Sequence, residues 1–215
     1  MLDSFLWQKP HLFLVQNQGV LKRLFIGAYI AIFALIGLGF YLFSAQKSIY
    51  IFIALLSNKF GLLALGLFIV TLIPGILQRF KLNLFLSMSI VLFRRHIGVL
   101  MYLLALLHSM YLSTIPVIMS GKFGIAIPSQ HEVYGSLSIL ILLPVWLTSN
   151  DVSQRFLGRF WKTLQRLTYF ASIFIFLHVS LINPLASAFL AFTLFFECAS
   201  WIKVWFFQPV VQPKV

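Results

Sequence analysis

The sequence predicts an all-α fold, a six-helix transmembrane bundle with short loops and both termini in the cytoplasm. Three observations predict it: an apolar composition, six apolar segments near bilayer length, and bases gathered in alternate connections. Of 215 residues, 61% are hydrophobic and only 9% are charged, and the mean hydropathy is +0.99. A soluble domain carries about 25% charged residues. Four acids and sixteen bases cannot dress a water-facing surface, so lipid is the solvent for most of the chain. Six spans and short loops consume nearly all of it, which argues against an added nucleotide- or flavin-binding domain. The net charge of +12 suits retention of Lys and Arg on the cytoplasmic side of spans, and no nucleic acid is needed to explain it. Cys198 is the one cysteine, so neither an internal disulfide nor a zinc spacing is expected. Met1 to Gly19 is mixed and polar and does not read as a cleavable signal.

The elements follow in order. A cytoplasmic segment, 1–23, precedes a first span from Leu24 to Phe43. The second runs from Phe60 to Leu77, with Pro74 near its end. Leu82 to Phe93 is apolar but brief, bracketed by Arg79 and Lys81 before it and by Arg94 and Arg95 after it. A helix needs about 20 residues to cross about 30 Å of hydrocarbon, so this piece is expected as an interfacial helix. The third span runs from His96 to Ile118. The fourth, Val133 to Leu147, contains Pro144 and is short, as is the fifth, Leu167 to Ile182; both are expected to extend into their flanks. The sixth runs from Leu185 to Val204, so the spanning domain is 24–204 and 205–215 is a cytoplasmic tail. With the N-terminus inside, only Lys47, Lys59 and Lys122 of the sixteen bases fall outside. That asymmetry sets the orientation, and an odd number of spans would destroy it. Trp146, Trp161 and Trp201 are placed as interfacial anchors.

Polar residues deep in a span point to function. Of the five histidines, His11 and His131 read as solvated, and His96 lies at the inner mouth of span three. His108 and His178 lie inside apolar runs, LLALLHSMY and IFIFLHVSL. His108 is twelve residues past His96, and His178 is twelve past Arg166, on spans of the same direction. At 1.5 Å per residue both sit about 18 Å from the inner surface. Two neutral imidazoles at one height are the axial pair that a b-type haem requires. Two other readings stay open. Each histidine could hydrogen-bond a neighbouring helix, or the pair could serve a proton path, although Glu197 is the only acid inside a span.

The stretches RRHIGVLMYLLALLHSMY, TSND and LGRFWKTLQRLTYFASIFIFLHV resemble the ferric-reductase-like transmembrane domain. The likeness extends to the haem-binding membrane subunits of periplasmic methionine-sulfoxide reductase systems. It covers roughly Gly61 to Val179. The resemblance implies six spans, haem b held by His108 and His178 as iron ligands, and electron transfer across a bacterial inner membrane. The donor would be a quinone or a cytoplasmic flavin reductase, with FMN or quinone as a further cofactor. The acceptor would be a periplasmic reductase subunit. The chain would then be an electron-transfer subunit rather than a stand-alone catalyst. The family pattern has another histidine thirteen residues before the span-five ligand, where this chain has Gln165. One haem is therefore expected, not two. An inner site would draw on His96, Gln165, Arg95 and Arg166, while Lys47, Lys59 and Lys122 are the outer cations available to propionates. A small transporter or channel, or a structural membrane subunit without haem, is the alternative; Pro74 and Pro144 are the only hints of broken helices.

Overall fold

The computed structural model describes residues 12–82, 85–120 and 128–207. Its helices are α1 (Gln18–Ser44), α2 (Ile49–Arg79), α3 (Phe85–Ser109), α4 (Ile115–Ser120), α5 (Gln130–Leu147), α6 (Asp151–Leu157), α7 (Arg159–Gln165), α8 (Leu167–Ser180) and α9 (Pro184–Phe207). No strand occurs among the described residues. A π-helical stretch, Met110–Thr114, joins α3 to α4. Four helices are long and apolar enough to cross a membrane: α1, α2, the joined α3–α4 rod and α9. A fifth crossing arises if α5 and α6, bent by 87° at their junction, are one broken span.

Several boundaries differ from the sequence reading, each for a physical reason. Leu82 to Phe93 is not a separate interfacial helix. From Phe85 it is continuous with the third span, running through Arg94 and Arg95 to Ser109. Charges mark a membrane boundary without ending a helix, and no Pro or Gly interrupts this run before Gly98. Lys59 is not in an outer loop, because α2 already begins at Ile49 and carries it as an exposed residue. The polar Ser57–Asn58–Lys59 triplet breaks the hydropathy pattern but not the backbone. Where a fifth span was expected, α8 has 14 residues, and Arg166, which parts it from α7, keeps right-handed helical angles. α9 runs on to Phe207, into the expected tail. Lys122 and His11 lie outside the described residues.

The quoted motifs after the fourth span form one corner. The Thr148 and Ser149 hydroxyls donate to the carbonyls of Pro144 and Val145, each at 2.7 Å. The Pro144 carbonyl also accepts from the Thr148 N–H at 3.1 Å, whereas the Val145 carbonyl is one that the end of α5 leaves to a side-chain donor. Asn150 caps α6 by accepting from the Ser153 N–H at 2.8 Å. Gly158 then takes a positive φ of 52° between α6 and α7, a conformation that favours glycine. Trp161 Nε1 donates back to the Thr148 carbonyl at 3.0 Å. Arg95 ties the corner to α3 through Asp151 at 2.7 Å and Gln154 at 3.1 Å, and the hydrogen bond from Arg95 holds the Asp151 carboxyl below the usual carboxylate range.

The two most extensive helix pairings are α2 with α3 and α5 with α8, with α9 lying against α2 and α8. Phe68, Leu103, Leu107, Tyr111, Ile115 and Leu190 fill the core. The outward surface is apolar instead of charged: Phe189, Phe192 and Phe195 on α9 are all exposed, as lipid solvation requires. Near the C-terminal end of α2, Arg79 pairs with Glu197 of α9 and donates to Ser200 Oγ at 2.7 Å. Trp201 is more than an interfacial anchor there. Its Nε1 donates to Glu197 at 3.1 Å, and the Arg79 guanidinium lies 4.6 Å from its ring centroid.

Candidate functional site

Two of the five histidines face each other. The rings of His108 on α3 and His178 on α8 are 6.4 Å apart between centroids, inclined at 73°. Each ring is held by a backbone carbonyl on the partner helix of its pair. His108 Nδ1 lies 3.0 Å from the carbonyl oxygen of Ser57 on α2. His178 Nδ1 lies 2.6 Å from the carbonyl oxygen of His131 on α5. A carbonyl only accepts, so each Nδ1 carries the proton and donates. Each Nε2 is then left unprotonated, the tautomer that metal-ligating histidines adopt when their other nitrogen is tied to a carbonyl.

A second feature repeats at both rings. A Cβ built at Gly61 would meet the His108 ring at 3.0 Å, and one built at Gly135 would meet His178 Nδ1 at 2.9 Å. Gly61 follows Ser57 by four residues, and Gly135 follows His131 by four. On each helix the carbonyl that receives the imidazole and the glycine that clears space for it are one turn apart. Sequence reasoning missed Ser57, Gly61, Gly135 and the carbonyl of His131. The shared signal, a glycine four residues after the acceptor, is too common to have been read alone. His131 itself is not merely solvated: it opens α5, partly buried, with its ring 6.2 Å from that of His178.

These glycines support a graded prediction. Gly66 has nothing within 4 Å of an added Cβ, so Gly66→Ala gains up to about 1 kcal/mol from helix propensity. Gly61→Ala and Gly135→Ala push an anchored ring instead and lose about 1–3 kcal/mol. Thermal unfolding of the three variants in detergent reads the contrast; the same shift in all three would refute it.

Both histidines line a cavity of about 570 Å³, within the range of cofactor pockets. Its lining combines apolar residues, among them Leu65, Phe68, Ala105 and Leu142, with polar ones, among them Asn58, Ser113, Glu132 and Asn183. Among the described residues no group of three or more His, Cys, Asp or Glu gathers to hold a metal ion. Neither Lys47 nor Lys59 lines this cavity.

A second cavity, of about 580 Å³, lies on the other side of Met101 and Leu142, which line both. The structure brings all four residues of the expected inner site to its wall: His96, Gln165, Arg95 and Arg166. They do not form a ligand pair. The Tyr29 hydroxyl lies 3.1 Å from His96 Nδ1, and Phe25 stacks on the His96 ring at 5.2 Å. Gln165 donates to the Val145 carbonyl at 3.4 Å. Trp146 stacks on Tyr102 at 4.9 Å, so it packs inside the bundle and is not purely an interfacial anchor.

The family model described as "Ferric reductase like transmembrane component" matches residues 60–176, a stretch that contains His108 and both glycines and ends two residues before His178. The chain is also similar to the protein-methionine-sulfoxide reductase heme-binding subunit MsrQ of Brucella anthropi. The two are 32% identical over 119 residues, covering 53% of this chain and 50% of the relative. The chain thus spans about half the length of the curated relative it matches. No solved structure matches.

Proposed function

This chain belongs to the ferric-reductase-like transmembrane family, and on that premise we propose that it is a haem b-binding electron-transfer subunit with His108 and His178 as the axial ligands. It is an integral, multi-pass membrane protein. In this reading six crossings are made by α1, α2, the α3–α4 rod, α5, α7 with α8, and α9, with both termini cytoplasmic and the spanning domain at 24–204. The positive-inside asymmetry supports that count and orientation.

The observation that carries the reading is the facing pair with both Nε2 atoms free. A metal–imidazole bond is about 2 Å. Two of them end to end, plus roughly one ring radius behind each nitrogen, put the centroids about 6 Å apart. The rings stand at 6.4 Å, and the cavity between the helix pairs offers apolar walls for a macrocycle. The residues therefore fit the group. Haem iron cycling between ferric and ferrous states would supply one-electron transfer. The protein's part is to fix both tautomers through Ser57 and His131, to hold the rings at one separation, and to exclude water with Phe68, Leu65 and Leu142.

One haem is the expected load, since Gln165 offers no imidazole at the inner position. Electrons would come from a quinone or a cytoplasmic flavin donor, with FMN or quinone at the inner side. They would leave to an acceptor on the outer side of a bacterial inner membrane. The 32% identity to a subunit named for methionine-sulfoxide reductase makes a periplasmic reductase the first partner to test. Purified protein supplied with haem is expected to show a Soret band that shifts on reduction, with about one haem per chain. A protein with no Soret band overturns the proposal.

A further inference from the structure

The rod formed by α3 and α4 contains a proline, Pro116, one residue into α4. Proline has no N–H, and its ring crowds the carbonyl four residues back. The helix meets it with the π-helical stretch Met110–Thr114. Such stretches interrupt helices as single turns, often at functional sites, and this one begins two residues after His108. It leaves one carbonyl stranded. The Ile115 N–H donates to the Met110 carbonyl, five residues back, and is spent there; in an α-helix it would serve Tyr111. The next backbone donor in line, at position 116, does not exist. A carbonyl without a donor is costly inside a lipid-solvated bundle. Tyr50, buried near the start of α2, supplies the donor. Its hydroxyl reaches the Tyr111 carbonyl at 2.7 Å, and the two rings stack at 5.4 Å between centroids.

Both sides of the π turn are anchored. On the far side Ile115 is fully buried, and the Tyr111 hydroxyl donates to the Leu35 carbonyl of α1 at 2.6 Å. A Cβ built at Gly39 would meet Tyr111 and Ile115, each at 2.8 Å, so this end is seated closely on α1. On the near side His108 Nδ1 donates to the Ser57 carbonyl. Ser57 follows Tyr50 by seven residues, two turns of α2, so one face of α2 holds the rod at both points. We propose that Tyr50 is a positioning residue for His108. By giving the Tyr111 carbonyl the donor that Pro116 withholds, it keeps the π turn open and sets the rotation of α3 that points the imidazole into the cavity. Closing the turn would return the Ile115 N–H to Tyr111 and rotate His108 against Ile115 by one residue's worth of helix, about 100°. With Ile115 seated on α1, His108 is the part that would move. The use of His108 as an iron ligand rests on the reading above, whereas the placing of its ring stands on this geometry alone.

Tyr50→Phe tests it, because it removes one hydroxyl and keeps the stacked ring. NMR of nitrogen-labelled histidine in the haem-free full chain in detergent reads the imidazole directly. The wild type should show His108 as a single tautomer with the proton on Nδ1, and Tyr50→Phe a mixture of tautomers. In haem-loaded protein the variant should shift the ferric low-spin g values, which respond to the angle between the two imidazole planes, 73° here. It should also release haem at least about tenfold faster. Tyr41→Phe makes the same chemical change at an exposed tyrosine of α1 and should alter none of these. Pro116→Ala restores an N–H to the stretch, so Tyr50→Phe should have little effect in that background; this comparison stays readable if Tyr50→Phe alone folds poorly. An unchanged His108 tautomer in Tyr50→Phe, or an equal effect with and without Pro116, overturns the proposal. A wild-type chain that takes up no haem overturns the iron-ligand reading instead, and the haem-free spectra still decide the role of Tyr50.

Discussion

Replacing His108 or His178 by alanine is expected to abolish the reduced low-spin haem spectrum, each substitution being sufficient alone. Each ring would supply one nitrogen to the iron, and among the described residues no third histidine offers a replacement on the same geometry. His131 lies nearest, yet its ring nitrogens face the Ser129 hydroxyl at 3.0 and 3.2 Å. The substitution also leaves the Ser57 or His131 carbonyl without the side-chain donor it now receives, which loosens the wall around the cavity. His131→Ala is the informative control. It deletes a ring beside the cavity but keeps the carbonyl that holds His178, so the spectrum should survive. His96→Ala should survive as well, because that ring packs on Phe25 and Tyr29. Absorption spectra of the four variants at matched protein concentration decide the matter. If His178→Ala keeps the wild-type spectrum while His96→Ala loses it, the axial pair has been misassigned.

The second large effect is expected at Arg79. Its side chain is 14% exposed and that of Glu197 only 6%, so Arg79→Ala strands a carboxylate inside the bundle. Glu197 Oε2 already has no hydrogen-bond partner, and the substitution would remove the cation over Trp201 as well. Breaking a buried pair by deleting one partner costs about 3–5 kcal/mol. Replacing both partners with leucine should cost much less, since a buried pair is often no better than well-packed apolar residues. Unfolding in detergent should therefore rank the double Arg79→Leu, Glu197→Leu variant above Arg79→Ala. Equal stability of the two would show that the pair does not join α2 to α9 as described.

Arg79 also shows how far sequence reading reaches. Its base was legible as a topology signal, and Glu197 stood out as the only acid within a span. That the two meet depends on the packing of α2 against α9, more than a hundred residues apart. Lys59 shows the opposite failure. Hydropathy placed it in a loop because three polar residues interrupt an apolar run, but helix continuity depends on backbone propensity, and Ser, Asn and Lys do not stop a helix that neighbours support on both sides. Leu82 to Phe93 was misread for the same reason in reverse, a charge boundary being taken for a structural one.

The amino-acid order by itself determined that this chain is helical and lipid-solvated, and that His108 and His178 are the histidines set deep in apolar runs, because composition and hydropathy act residue by residue along one helix. Only the tertiary structure decided that the rings face at 6.4 Å, that Ser57 and His131 carbonyls select their tautomer, and that Gly61 and Gly135 make the room. The same holds for the inner cavity, whose cations come from both halves of the chain. The physical reason is that acceptor, clearance and charge are supplied by neighbouring helices remote in sequence, and a one-dimensional pattern carries no information on which helix faces which.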